Sequence, residues 1–293
     1  MDSPDTLAKF RAEIDQIDDA AQDLILRRME IVQKIAQAKA AANPDEPVFA
    51  MRPGREAAIL RRLMARHSGN LPAAAIGRMW RELISAASGM QGPFEVAIFG
   101  SDDTVGFWDV ARTHFGSTIP AALYKTPALV LQRVAEGKGV VGVLPVPGSG
   151  DTGSNWWTAL AHAQGAGGNA KNNKSLRVVA RLPFLRGPGQ TGREALAVAP
   201  IDREETGNDR TYLLAFCKNE MSRAAVRRLL ESCGIECEPV DTGGEDKRLM
   251  LFEAPYYIAD EDPRLKQAVA STEKLLERIL VAGGYAVPLQ LPS

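Results

Sequence analysis

Net charge, cysteine and long apolar runs are all scarce in this sequence. Its 293 residues carry 35 Lys and Arg against 36 Asp and Glu, a net charge of -1 that offers no basic surface for nucleic acid. Cys217, Cys233 and Cys237 lack the second pair or nearby histidines of a zinc site, which predicts reduced thiols. No apolar run is long enough to span a membrane, and the N-terminus does not resemble a signal peptide. We therefore expect a cytoplasmic protein without metal, nucleic-acid or membrane partners.

The first ninety residues are predicted to form three helices. Ser3, Pro4 and Asp5 make a good helix start, and the first helix is predicted to run to Asn43-Pro44. The second is "REAAILRRLMARH", and the third begins at Pro72 and ends before Gly92. A first helix of roughly 38 residues spans about 57 Å, more than two shorter helices can cover. The pattern therefore predicts a bundle in which two chains share the long helix.

The period of the sequence changes at Phe94. "FEVAIFG" and "VVGVLPV" are typical of strands, and "TVGFWDVARTHFG" and "PALVLQRVAEGKG" of helices, so a middle α/β lobe is predicted. "GAGGNAKNNKS" indicates a solvent loop. Later come a strand "TYLLAFC", a helix "SRAAVRRLLESCG", strands "IECEPV" and "RLMLFEA", and a helix "DPRLKQAVASTEKLLERIL". This βαββα order predicts a ferredoxin-like α+β module at the C-terminus.

Arg28 interrupts the apolar stripe of the first helix. Apolar or small residues recur there in steps of three and four, at Leu7, Phe10, Ile14, Ile17, Ala21, Leu24, Ile31, Ile35 and Ala38, and Arg28 fills the slot between Leu24 and Ile31. Burying an unpaired charge costs several kcal/mol, so Arg28 is predicted to meet an anion. The alternative is that its long side chain extends to solvent.

Other polar residues of the helices are placed to join Arg28. Lys39 lies three turns later on nearly the same side, although alone it also suits the end of a helix. If the helices pack antiparallel, Arg55, Glu56 and Gln91 would line the same pocket. Arg11 precedes Arg28 by about 25 Å of rigid helix, so a small ligand could contact both only across a dimer.

The helical region resembles a known family through "FRAEIDQIDDAAQDLILRRMEIVQKIAQAK" and "VFAMRPGREAAILRRL". It is similar over residues 5–92 to the all-helical class of chorismate mutase, in the form fused to prephenate dehydratase. The resemblance implies a cofactor-free rearrangement of chorismate to prephenate. In it Arg11 of a second subunit and Arg28 would bind substrate carboxylates, Lys39 and Gln91 would contact the ether oxygen, and Arg55 and Glu56 would orient the ring and its hydroxyl.

The middle region resembles a prephenate dehydratase domain that has lost its motifs. "GSDDTVG" stands for the family's glycine-proline-glutamate-glycine-threonine opening, Pro147-Gly148-Ser149 for its glutamate-asparagine-serine, and "TGREALAV" for its threonine-arginine-phenylalanine motif. Fewer than fifty residues separate the last two landmarks, too few for the family's second lobe. We expect no dehydratase activity.

The C-terminal region is similar to the amino-acid-binding ACT domain of such fusions. Met221-Ser222-Arg223 stands for the family's glycine-alanine-leucine turn, and "PVDTGGEDKR" lacks its later motif. A phenylalanine or tyrosine effector and a module that only pairs with its twin both remain open.

The predicted organisation is multidomain. Residues 1–92 form the helical mutase domain, 93–203 the truncated dehydratase-like α/β region, and 207–293 the ACT-like domain. Two alternatives to a chorismate mutase stay open at this stage. One is an isochorismate-pyruvate lyase of the same helical fold, and the other is a non-catalytic partner that senses aromatic amino acids.

Overall fold

A computed structural model describes residues 4–42, 49–100, 105–165, 175–188, 192–218, 221–244, 248–271 and 275–292. Three helices form the N-terminal part, as predicted: α1 (Pro4–Ala42), α2 (Pro53–Ala65) and α3 (Ala73–Gly89). Local sequence explains two of the starts, because a proline opens α2 and another proline immediately precedes α3.

The remaining part is a mixed α/β structure. Its helices are α4 (Val105–Phe115), α5 (Pro127–Glu136), α6 (Trp157–Gly165), α7 (Arg223–Ser232) and α8 (Pro263–Ala270). Its strands are β1 (Glu95–Phe99), β2 (Ala121–Tyr124), β3 (Val140–Pro145), β4 (Arg177–Leu182), β5 (Leu185–Arg186), β6 (Ala195–Ala199), β7 (Asp209–Cys217), β8 (Glu238–Gly243), β9 (Leu249–Ala254), β10 (Leu276–Ala286) and β11 (Leu289–Gln290).

Nine of these strands form one continuous sheet, in the order β2-β1-β3-β6-β4-β10-β7-β9-β8. The first three are parallel, and α4 and α5 pack against them, which confirms the predicted α/β unit. The core that packs against the sheet is apolar and includes Trp156 and Trp157. β5 and β11 pair separately in a small parallel sheet.

The C-terminal end of the sheet has the ferredoxin-like strand order. Its four strands lie in the order β10-β7-β9-β8, with α7 before β8 and α8 before β10. The same β10 continues the sheet into the middle region, where Gly283 pairs with Val178 of β4. A Cβ at Gly283 would overlap the Val178 backbone, so this close approach needs a glycine. The domain boundaries at 203 and 207 remain predictions.

The last predicted helix is wrong in its second half. "DPRLKQAVASTEKLLERIL" was expected to be one helix, but α8 ends at Ala270 and β10 begins at Leu276. Leu276, Ile279 and Val281 are buried where β10 pairs with β7, and such pairing outweighs a helical apolar spacing. The strand β2 and the helix α6 were not predicted. The expected strand "IECEPV" begins three residues late, at Glu238.

The helices α2 and α3 pack against the sheet region. Leu60 and Ile84 form a buried cluster with Phe184, beside the small β5–β11 sheet. On α3, Ile84 and Ala87 are buried, but Met79 is exposed. Gly77, Arg81, Ser85 and Ser88 are buried instead, because α3 turns that face towards α4 and β5.

The long helix α1 exposes its apolar stripe. Seven of the stripe's large apolar side chains are between 47% and 67% exposed in the single chain: Leu7, Phe10, Ile14, Ile17, Leu24, Ile31 and Ile35. A contiguous apolar surface of this kind marks an interaction site in a folded protein.

Several predicted features lie outside the described residues. These are the solvent loop at 166–174, most of "GSDDTVG" at 101–104, Thr191 of "TGREALAV", and 245–247 of "PVDTGGEDKR". Among the described residues, no helix is both long enough and apolar enough to cross a membrane.

Candidate active site

Arg28 is a half-buried cation that forms no ion pair with any described residue. Its guanidinium lies over the indole of Trp80 on α3, with Cζ 6.0 Å from the ring centroid. Its Nη1 atom is buried and has no hydrogen-bond partner in the part of the chain that the structure describes. Burial lowers the pKa of the guanidinium below its usual value. An unpaired donor of this kind is unfavourable in the free protein and is a ready partner for a carboxylate.

Glu56 lies in the first turn of α2 and is paired with Arg81 of α3. Arg81 Nη1 donates to Glu56 Oε2 over 2.9 Å, and both side chains are buried. Arg81 Nε donates to the backbone oxygen of His114, at the end of α4, over 2.7 Å. The second carboxylate oxygen of Glu56, Oε1, accepts no hydrogen bond from any described residue. Oε1 is also not one of the fully buried polar atoms that lack a partner.

Of the other predicted site residues, Arg11 and Lys39 lie on α1, Arg55 lies on α2, and Gln91 lies two residues after the end of α3. Arg11 and Arg55 are exposed, and Lys39 is half-buried at the end of α1. Gln91 donates its side-chain amide to the backbone oxygen of Ala87 over 3.1 Å. Within the described parts of the chain, no hydrogen bond or ion pair joins any two of the six predicted site residues. Their convergence on one pocket therefore stays a prediction.

The position of α2 is fixed from the sheet side by Arg61. Its guanidinium donates to Thr206 Oγ1 at 2.9 Å and to the backbone oxygens of Asn208 at 2.9 Å and Val287 at 3.0 Å. Burial lowers the pKa of Arg61, an effect that Asp209 opposes. Arg61 lies five positions after Glu56 on α2, so this anchor holds the same helix that carries Glu56.

A second anchor joins α3 to the turn after α4. The Glu82 carboxylate accepts from the backbone N–H of Ser117 at 2.9 and 3.0 Å. Gly116 precedes this contact with φ at +78°, a conformation that favours glycine. Arg81 and Glu82 thus both bind the segment from 114 to 117.

Sequence reasoning missed Arg81, although a signal was present. Arg81 lies four residues after Gly77 and four before Ser85, on the buried face of α3. Like Arg28, Arg81 is a cation within a stripe of buried residues. The sequence alone does not indicate its partners, because they lie 25 and 33 residues away.

Residues of the predicted dehydratase remnants contact one another and neighbouring elements, and Arg193 Nη1 lies 3.9 Å from Asp151 Oδ1. Ser149 Oγ lies 3.0 Å from Asp151 Oδ2, and the Arg193 guanidinium lies over Phe107 with Cζ 5.2 Å from the ring centroid. The described residues contain no group of three or more His, Cys, Asp or Glu side chains suited to a metal ion.

Comparison with known families places the helical region in a class. Residues 10–92 match the family model described as chorismate mutase type II. This match confirms the resemblance predicted for the N-terminal region.

Two curated relatives are bifunctional chorismate mutase/prephenate dehydratases, from Stutzerimonas stutzeri and Pseudomonas aeruginosa. They are 32% and 31% identical over 151 residues, which is 51% of this chain and 41% of each relative. The chain thus spans less than half the length of these relatives. The aligned length exceeds the 92 residues of the helical region, so the similarity continues into the α/β region.

A solved prephenate dehydratase from Streptococcus mutans has 13% identity and a TM-score of 0.47. That alignment covers 68% of this chain and 100% of the other.

Proposed function

We propose that the helical region catalyses the rearrangement of chorismate to prephenate. The observation that carries this proposal is Arg28, a half-buried guanidinium with a buried, unpartnered Nη1 inside the segment that matches chorismate mutase type II. A substrate carboxylate would supply the anion that none of the described residues provides. Binding of that carboxylate would give the buried Nη1 a hydrogen-bond acceptor and so remove the free-energy cost of leaving it unsatisfied.

The residue types suit a pericyclic reaction, which needs no nucleophile, metal or cofactor. Two cations, Arg11 and Arg28, would hold the two carboxylates of chorismate, and Arg55 and Glu56 would orient the ring. Holding the reacting carbons close gives the rate gain of restricted orientation. As the ether bond breaks, negative charge grows on its oxygen, and donors such as Lys39 and Gln91 would stabilise that charge.

We further propose that the active form is a homodimer built on α1. The exposed apolar stripe of α1 supports this, since a second copy of the same helix offers a matching apolar surface. The arrangement also explains Arg11, which is exposed and about 25 Å along the helix from Arg28. In a dimer, Arg11 would complete the site of the other subunit.

For the rest of the chain we propose no dehydratase activity and a C-terminal ACT-like module. The ferredoxin-like strand order is consistent with such a module. Phenylalanine or tyrosine is its candidate effector, and pairing with a second copy is the alternative role. A cytoplasmic location stays a prediction.

The test is to incubate the purified chain separately with chorismate and with isochorismate. Substrate loss is followed by absorbance and products by chromatography, alongside Arg28→Met and the neighbouring Arg27→Met. Arg27 is exposed, so its variant is a matched control. We expect prephenate from chorismate, lost in Arg28→Met and kept in Arg27→Met.

Two results would contradict the proposal. Pyruvate from isochorismate without prephenate from chorismate would indicate a lyase. No turnover, together with calorimetric binding of phenylalanine or tyrosine, would indicate a sensing partner.

A further inference from the structure

Glu56 and Arg81 form an ion pair that is almost closed to water. Arg81 is 4% exposed and Glu56 is 8% exposed, and the pair joins the start of α2 to the middle of α3. A carboxylate that contacts substrate gains from a fixed position, because a small misplacement of a catalytic contact costs rate. The question is therefore what fixes the position of Glu56.

The contacts of Arg81 divide Glu56 into a held oxygen and an available one. Nη1 of Arg81 binds Oε2, while Oε1 has no partner among the described residues. The guanidinium is itself held from the other side, since its Nε donates to the His114 backbone oxygen. A planar guanidinium fixed at two points defines the direction of the carboxylate it binds.

The backbone oxygen of His114 lies in a buried, well-packed part of the structure. His114 is buried at the end of α4, with its ring packed edge-on against Phe115 at 4.8 Å between centroids. Glu82, the neighbour of Arg81, binds Ser117 N in the same turn. The turn after α4 thus holds two consecutive residues of α3.

We propose that Arg81 is a positioning residue for the reaction, which aims the Glu56 carboxylate at substrate and takes its own position from the end of α4. This inference rests on the proposed mutase function and assigns the α/β region a part in it. The α/β region would hold the mutase site in place through hydrogen bonds of its backbone atoms. This role requires no dehydratase chemistry.

A purely structural ion pair is the competing explanation, and a double-mutant cycle separates the two. The four full-length proteins are wild type, Arg81→Met, Glu56→Gln and the double variant, with kcat and KM measured for chorismate. If Arg81 acts through Glu56, the two losses do not add, because removing the carboxylate leaves nothing for Arg81 to aim.

We expect Arg81→Met to lower kcat by about 100-fold with a smaller change in KM. The double variant should lie within about threefold of Glu56→Gln. Arg81→Lys, which keeps the charge, should recover part of the loss. Arg78→Met is the matched control, since Arg78 is exposed on the same helix, and it should behave as wild type.

Losses that multiply in the double variant would overturn the proposal, as would a kcat unchanged by Arg81→Met. If Arg81→Met does not fold, Arg81→Lys decides the matter, measured alone and combined with Glu56→Gln. A kcat loss at unchanged melting temperature that disappears in the Glu56→Gln background supports positioning, and a loss that persists there overturns it. A wild-type protein without chorismate turnover would instead contradict the proposed function itself, and the role of Arg81 with it.

Discussion

Replacing Arg28 with methionine should make the protein more stable and less active. Methionine keeps an unbranched chain against Trp80 but removes the cation whose Nη1 is buried without a partner. Leaving a buried donor unsatisfied costs about 1–3 kcal/mol, and more for a charged group in full burial. Arg28 is only half-buried, so the lower part of that range applies.

The cation–π contact with Trp80 partly offsets this gain. Such a contact is worth about 0.5–1 kcal/mol at a partly exposed position, and Arg28→Met loses it. The net expectation is a rise of about 0.5–1 kcal/mol in the free energy of unfolding, or roughly 1–3 °C in Tm. Activity should fall by at least about 100-fold, because a substrate carboxylate loses its charge-assisted partner.

The assay is thermal unfolding at one pH and one protein concentration, with and without a non-reacting dicarboxylate analogue of chorismate, for wild type, Arg28→Met and Arg27→Met. The analogue should raise the Tm of wild type and Arg27→Met but not that of Arg28→Met. A drop in Tm for Arg28→Met in the absence of ligand would refute the reasoning. It would mean that the guanidinium already has a stabilising partner.

Three further expectations follow from other residues. Lys39→Ala should lower kcat by about 100-fold to 1,000-fold at unchanged Tm, and a loss below about tenfold would show that Lys39 only decorates the helix end. Burial, followed by the nearby Arg81 charge, holds the pKa of His114 well below its usual 6.5. As the pH drops, His114 therefore binds a proton in the unfolded chain before it does so in the folded chain. The free energy of unfolding should fall below about pH 6.5, by up to about 1.4 kcal/mol per pH unit. Melting curves of His114→Phe should show a weaker fall. Gly116→Ala should lower the free energy of unfolding by about 1–2 kcal/mol because of its φ of +78°, and further because the new Cβ overlaps Glu82. Gly69→Ala has a φ of +90° but no atom near the new Cβ, so denaturant unfolding should show the backbone cost alone.

The features that sequence predicted well are those encoded locally. The second helix, predicted from Arg55, begins two residues earlier at Pro53, and Pro72 with the regular apolar spacing marks the start of α3 within a residue. The strand β10 was mistaken for helix because its apolar residues fit either period, and only pairing with a strand about sixty residues earlier decides between them.

The residues of the candidate site also differ in how well the sequence alone predicts them. Arg28 stands out in sequence because its apolar neighbours lie on the same helix. Arg81 does not, because the carboxylate and the carbonyl that bind it come from α2 and α4. The exposed stripe of α1 was expected from helix length alone, since a helix of 39 residues exceeds what two shorter helices can bury.

The most direct test of the central claim is to mix Arg11→Ala and Arg28→Ala chains, each inactive alone, by unfolding them together and refolding. In a mixed dimer, the site on the Arg11→Ala chain keeps its own Arg28 and receives an intact Arg11, while the opposite site lacks both. With half of the dimers mixed and one good site in each, activity should return to about a quarter of wild type. No recovery, with mixed dimers confirmed by mass spectrometry, would contradict a cationic site shared between two copies of α1.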